Sequence, residues 1–282
     1  MAFDVRTGLL IVALLLTANG AVAAPVRIAV SDAGYADLAH QIGDPGVAVT
    51  LLNAEKPAAN GARGLPPSDV VMCGGTKSDA WLCEQARRTA PPPVVIEPMA
   101  RTAGGQEEPA FPWYDTKTIV ALAGQLAAEL SRLLPAEAPR IAANLARTQT
   151  ALRSIDRKRE EIAHLYQGTD IIVTDQLSRG FVDQFRFKIA DGNYLKALSR
   201  SGTPSAASVA ALNDAIQGRK ASILVYDQNA TTPAIKDLIA AANDTGMPAV
   251  GVRESAPRGL HYQQWLLRQL NAVHGALNQA AP

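Results

Sequence analysis

What most limits the fold of this chain is a pattern that occurs twice. Short apolar runs alternate with amphipathic helical segments before residue 116 and again after residue 168. In the first block, residues 26–30 (VRIAV), 47–52, 70–72 and 94–96 read as strands, and residues 35–42 and 79–88 as helices. In the second, residues 171–173, 223–226 and 249–252 read as strands, and residues 209–216, 233–242 and 262–277 as helices. Alternation of this kind predicts parallel sheets with helices on their faces. Between the blocks, residues 116–134 carry a helical stripe, and residues 139–166 carry a longer one. The longer stripe places Ile141, Leu145, Leu152, Ile155, Ile162 and Leu165 on one side and the charges from Arg157 to Glu161 between them. The expected fold class is α/β, with two pseudo-symmetric lobes of mostly parallel sheets joined by a long bridging α-helix. The expected boundaries are a leader over 1–24, an N-terminal lobe over 25–116, a helical segment over 117–167 and a C-terminal lobe over 168–282.

The first 24 residues read as a secretory signal. Arg6 precedes the apolar run LLIVALLL, and small residues ending Ala21-Val22-Ala23-Ala24 follow it. The run is too short to cross a bilayer as a helix, and no later stretch approaches the roughly 20 apolar residues that a span needs. No cysteine follows the run, so no lipid anchor is expected. The mature protein is expected in the periplasm, not membrane-spanning and monomeric. With 27 basic against 26 acidic side chains the chain offers no basic field for nucleic acid. Cys73 and Cys83 are the only cysteines. In an oxidising compartment a disulfide is the default for such a pair, with buried thiols or soft metal ligation as the alternatives.

Catalytic signatures are missing: there is no G-x-S-x-G, P-loop, G-x-G-x-x-G after a strand, or H-E-x-x-H. His40, His164 and His274 fall on predicted helices and read as solvated helix faces, whereas His261 sits in the turn RGLHYQQW. No catalytic residues and no enzymatic activity are expected.

The segments VRIAVSDAGYADLAHQIGDPGVAVTLLN, PPSDVVMCGGTKSDAWL and PAFPWYD, followed by the paired helices and by residues 204–270, resemble the zinc and manganese cluster of solute-binding proteins. These proteins serve ABC importers. The resemblance implies a two-lobed receptor that binds a divalent metal ion of the zinc or manganese class in an interlobe cleft. It further implies delivery of that metal to an ABC transporter permease. The family's two N-lobe histidines align with the loop near Asn60 and with Phe111, so both imidazoles are replaced. In the C-lobe, Asp175 and Glu254 stand at the ligand positions. Asp227 would lie behind them, and Asn60, Phe111 and Trp113 would line the cleft. Three readings stay open: a metal held with altered selectivity, a small solute such as a metal chelate or organic cation, or a partner protein without metal binding. Ligand sets rich in carboxylate and poor in imidazole favour manganese, magnesium or calcium over zinc.

Overall fold

The structure, a computed structural model, describes residues 24–52, 64–74, 79–98, 112–190, 192–201, 204–229, 232–257 and 259–280. The expected leader, Asn60 and Phe111 lie outside the described residues, apart from Ala24 at the leader's end.

Strands β1 (Val26–Val30), β2 (Val47–Leu51), β3 (Val70–Met72) and β4 (Val94–Ile96) form one sheet in the order β2-β1-β3-β4. Strands β5 (Asp170–Val173), β6 (Lys188–Ile189), β7 (Leu224–Asp227) and β8 (Ala249–Val252) form a second in the order β6-β5-β7-β8. All pairings are parallel. The same order in both sheets makes the lobes pseudo-symmetric, as the twofold sequence pattern predicts. In each sheet the strand order reverses between two inner strands, β1 and β3 in one lobe and β5 and β7 in the other. Open α/β sheets bind ligands at the carboxyl ends of such strands.

Among the described residues the helices are α1 (Ala33–Gly43), α2 (Ala80–Arg88), α3 (Thr116–Leu133), α4 (Ala138–Leu165), α5 (Gln176–Val182), α6 (Gly192–Ser201), α7 (Ala206–Gln217), α8 (Pro233–Asp244) and α9 (Tyr262–Ala280). The sequence pattern does not announce α5, α6 or β6. With seven residues, α5 is too short to display a stripe, and β6 has two residues. Helix α3 starts where the Asp115 carboxylate accepts from Lys117 N and Thr118 N, and it stops before Pro135.

Helix α4 is the bridge. Its 28 residues make a rod about 42 Å long. Ile141, Asn144, Thr148, Leu152, Ile155 and Ile162 form its buried stripe. That stripe meets α1 and α3 at one end and α9 and the turn Asp183–Phe185 at the other. Asn144 Nδ2 donates to Ile42 O at 2.9 Å, which satisfies a carbonyl at the end of α1. One apolar core therefore runs from Val26 in the first strand to Leu277 in the last helix. A smaller cluster (Ala29, Leu52, Val71, Leu82, Ala86 and the two cysteines) sits between the first sheet and α2.

Cys73 and Cys83 are disulfide-bonded, with 6.0 Å between their Cα atoms. Two side chains sit otherwise than their places in the sequence suggest. Asp79 stands at the cap position of α2 but makes no cap bond. Its carboxylate turns inward and accepts from Ser31 Oγ at 2.7 Å and from Gly74 N, the donors left over at the ends of β1 and β3. His274 is not a solvated helix-face residue: its side chain is 16% exposed, packs edge-on against Tyr166 and bonds to Lys158 of α4. His40 and His164 are exposed, as expected.

Candidate metal site between the lobes

The carboxylates that the sequence singles out lie where the second sheet reverses. Thr174 continues β5, and Asp175 then caps α5, its Oδ1 accepting from Ser178 N at 2.7 Å. Its Oδ2 accepts from Thr174 Oγ1 at 2.7 Å and from Asp227 N at 2.8 Å. A carboxylate oxygen has two lone-pair directions, so Oδ2 is fully used and Oδ1 keeps one. Asp175 thus binds β5 to β7 and can offer a cation a single bond. Asp227 ends β7, and its Oδ1 accepts from Asn229 N at 2.8 Å, which shapes the following turn. Glu254 follows β8 and is exposed. The Tyr114 hydroxyl senses all three: burial first, then the charges of Glu254, Asp227 and Asp175, hold its proton on well beyond the usual phenol range.

The first lobe repeats this device. Val30-Ser31-Asp32 ends β1 and caps α1 just as Val173-Thr174-Asp175 ends β5 and caps α5. Asp32 Oδ1 accepts from Gly34 N at 2.6 Å. Burial, with the charges of Glu254 and Asp79 adding to it, pushes the Asp32 carboxyl up to about 6, against the lowering effect of the Gly34 bond. The Glu254 charge that reaches Asp32 comes from the other lobe. Asp32 and Asp79 are the residues that sequence reasoning missed. The signal was present in the matching triplets VSD and VTD, each after a strand.

Trp113 and Tyr114 lie in the turn Pro112–Tyr114, whose last carbonyl accepts from Arg159 of α4 at 3.0 Å. Trp113 is committed to packing. Its ring lies tilted on Tyr35 with centroids 4.3 Å apart, and its carbonyl accepts from the Tyr262 hydroxyl. A Cβ on Gly34 would come within 3.1 Å of the indole, so glycine is what lets the ring close over the start of α1. Tyr114 reaches the other lobe: its hydroxyl donates to Arg253 O at 2.7 Å, and its ring packs against Phe181 and Trp265.

Among the described residues, one group of three metal-ligand side chains brings its ligand atoms within 4.8 Å of each other: Cys73, Cys83 and Glu97. Its sulfurs are bonded to each other, so it is not a thiolate site. Asp32, Asp175 and Glu254 do not bring their ligand atoms within that distance of one another.

Two lobes of like topology, a spanning helix and acidic groups at both strand reversals define a bilobal solute-binding receptor. Within that class the chain belongs to the ZnuA family, zinc-uptake complex component A, periplasmic, whose profile matches residues 28–276. It is accordingly the periplasmic metal-binding component of an ABC-type metal uptake system. Among curated proteins none matches in sequence. The fold is similar to that of the periplasmic zinc-binding protein TroA from Treponema pallidum, at 16% identity and a TM-score of 0.66 over 90% of this chain and 99% of that one. It is also similar to a manganese-bound periplasmic metal-binding protein from Candidatus Liberibacter asiaticus (14%, 0.65, 89% and 99%). A third likeness is to the nickel-bound solute-binding protein FpvC from P. aeruginosa (14%, 0.63, 92% and 98%). No helix among the described residues is long and apolar enough to cross a membrane.

Proposed function

We infer that the chain is exported by its leader and captures a hard divalent cation of the manganese class between Asp32, Asp175 and Glu254 for delivery to its permease. The carrying observation is that Asp32 of the first lobe lies near enough to Glu254 of the second for that charge to raise its carboxyl. A cation between them would offset the Glu254 charge that, after burial, helps to raise the Asp32 carboxyl. No histidine of the described residues lies among them, and oxygen ligands without imidazole or thiolate suit manganese better than zinc. Because the three groups stand apart, the cation would draw the lobes together or keep water in its shell.

The test is calorimetry on metal-free mature protein. Manganese is expected to bind at least as tightly as zinc, and Glu254→Gln to abolish binding. No saturable binding of any divalent cation tighter than about 10 μM, roughly −7 kcal/mol, would overturn the reading.

A further inference from the structure

The start of α9 carries a contact that the metal site does not use. His261 caps the helix, its carbonyl accepting from Trp265 N at 3.0 Å. The N–H of Tyr262, one of the groups left without a partner inside a helix, is met from the other lobe. Asp37 of α1 accepts from Tyr262 N at 2.7 Å through Oδ2, and its Oδ1 lies 2.7 Å from His261 Nδ1. Gln41, one turn further along α1, donates to Asp37 Oδ2 at 2.7 Å and exchanges two bonds with Gln263, of 3.0 and 2.8 Å. The Asp37 side chain is 16% exposed. A carboxylate at a helix N-terminus is favourable, and more so when shielded from water. Here the helix belongs to one lobe and its capping carboxylate to the other.

The chain between β8 and α9 carries Glu254. At one end Arg253 is fixed by its N–H to Gln269 and by its carbonyl to Tyr114. At the other end, His261 and Tyr262 are fixed to Asp37. We propose that Asp37 is a positioning residue for the cleft: by capping α9 from the opposite lobe, it sets the lobe spacing and holds the Glu254 segment against the first lobe. This rests on the metal reading only for its effect on affinity; the effect on lobe spacing stands without it.

Protonation offers a readout that mere loss of packing would not give. Among the described residues the charged groups facing His261 are Asp37 from α1 and Arg147 from α4, which lines the same groove. An Asn at position 37 can accept from Tyr262 N and donate through its amide to a neutral imidazole. With its oxygen on Tyr262 N, the amide it turns to the ring cannot pair with an imidazolium, which has no acceptor. Histidine changes charge between pH 5 and 8.

The experiment uses the full mature chain with spin labels at Glu84→Cys on α2 and Lys236→Cys on α8, and reads interlobe distances and manganese affinity at pH 5.5 and 8. Relative to wild type, Asp37→Ala is expected to broaden the distance distribution at both pH values and to weaken manganese binding at least tenfold. Asp37→Asn should resemble wild type at pH 8 and Asp37→Ala at pH 5.5. Distances in Asp37→Ala identical to wild type would overturn the proposal, whether or not the protein binds manganese. So would equal behaviour of Asp37→Asn at the two pH values. If Asp37→Ala does not fold, Asp37→Asn is read alone, and equal distance distributions at pH 5.5 and 8 overturn the proposal. A wild type that ignores manganese would refute the metal reading alone.

Discussion

Asp32 and Asp175 occupy the same place in the two lobes, each two residues beyond an inner strand and each capping the helix that follows. They differ in company. Asp175 takes three donors, Ser178 N, Thr174 Oγ1 and Asp227 N, whereas the described partner of Asp32 is Gly34 N. The serine that precedes Asp32 donates instead to Asp79. One of the pair is therefore built into its lobe, and the other keeps more lone pairs for the cleft.

Asp32 ties metal-free stability to pH. Its folded value of about 6 lies above the ordinary carboxylate value of 3.8. Between those two values the unfolded chain has lost the proton and the folded one retains it. Stability therefore falls as pH rises from about 4 to about 6, by an order of 2–3 kcal/mol. Asp32→Asn should remove this slope and raise the melting temperature at pH 7, while weakening manganese binding. Thermal melts of metal-free protein at several pH values check the sign.

Asp175 and Glu254 separate on stability. Asp175→Ala strips a helix cap and leaves Asp227 N without its carboxylate, at a cost of roughly 2–4 kcal/mol. Glu254→Ala, at an exposed position, should stay within about 0.5 kcal/mol of wild type. Both should abolish metal binding. Urea unfolding beside calorimetry distinguishes the two roles.

The Cys73–Cys83 bond closes a short loop over the small core beneath α2, where both side chains are buried. Reduction, or Cys73→Ser with Cys83→Ser, should cost on the order of 2–3 kcal/mol. A denaturation midpoint unchanged by reductant would refute this.

Tyr114→Phe keeps the ring contacts with Phe181 and Trp265 and removes the bond to Arg253 O. The expected cost is about 1–2 kcal/mol, with weaker metal binding because Arg253 adjoins Glu254. Equal affinity in the variant would detach this contact from the site.

The fold was legible because period and order are local properties of a chain. Ile141 through Ile162 announce α4, and the strand runs announce seven of the eight described strands. Short elements such as α5 were not, since a seven-residue helix held by its cap carries no periodic stripe. Asp175 and Glu254 could be placed by resemblance to a family. Asp32 could not, because that family's pattern puts histidines elsewhere in the first lobe. Its role emerges from the cross-lobe proximity to Glu254, which no sequence spacing encodes. The orientation of Asp79 was likewise hidden: a cap position in sequence became a buried acceptor once β1 and β3 brought Ser31 and Gly74 to it.

Helix α4 has a thermodynamic consequence. Because its buried stripe belongs to both halves of a single apolar core, neither half can lose its packing without exposing the face of the rod that the other half needs. The two lobes should melt as one cooperative unit, giving a single calorimetric transition rather than two. An isolated lobe, deprived of that shared face, should not persist as a folded module. The architecture looks divisible from its sheets, yet it is indivisible in its unfolding.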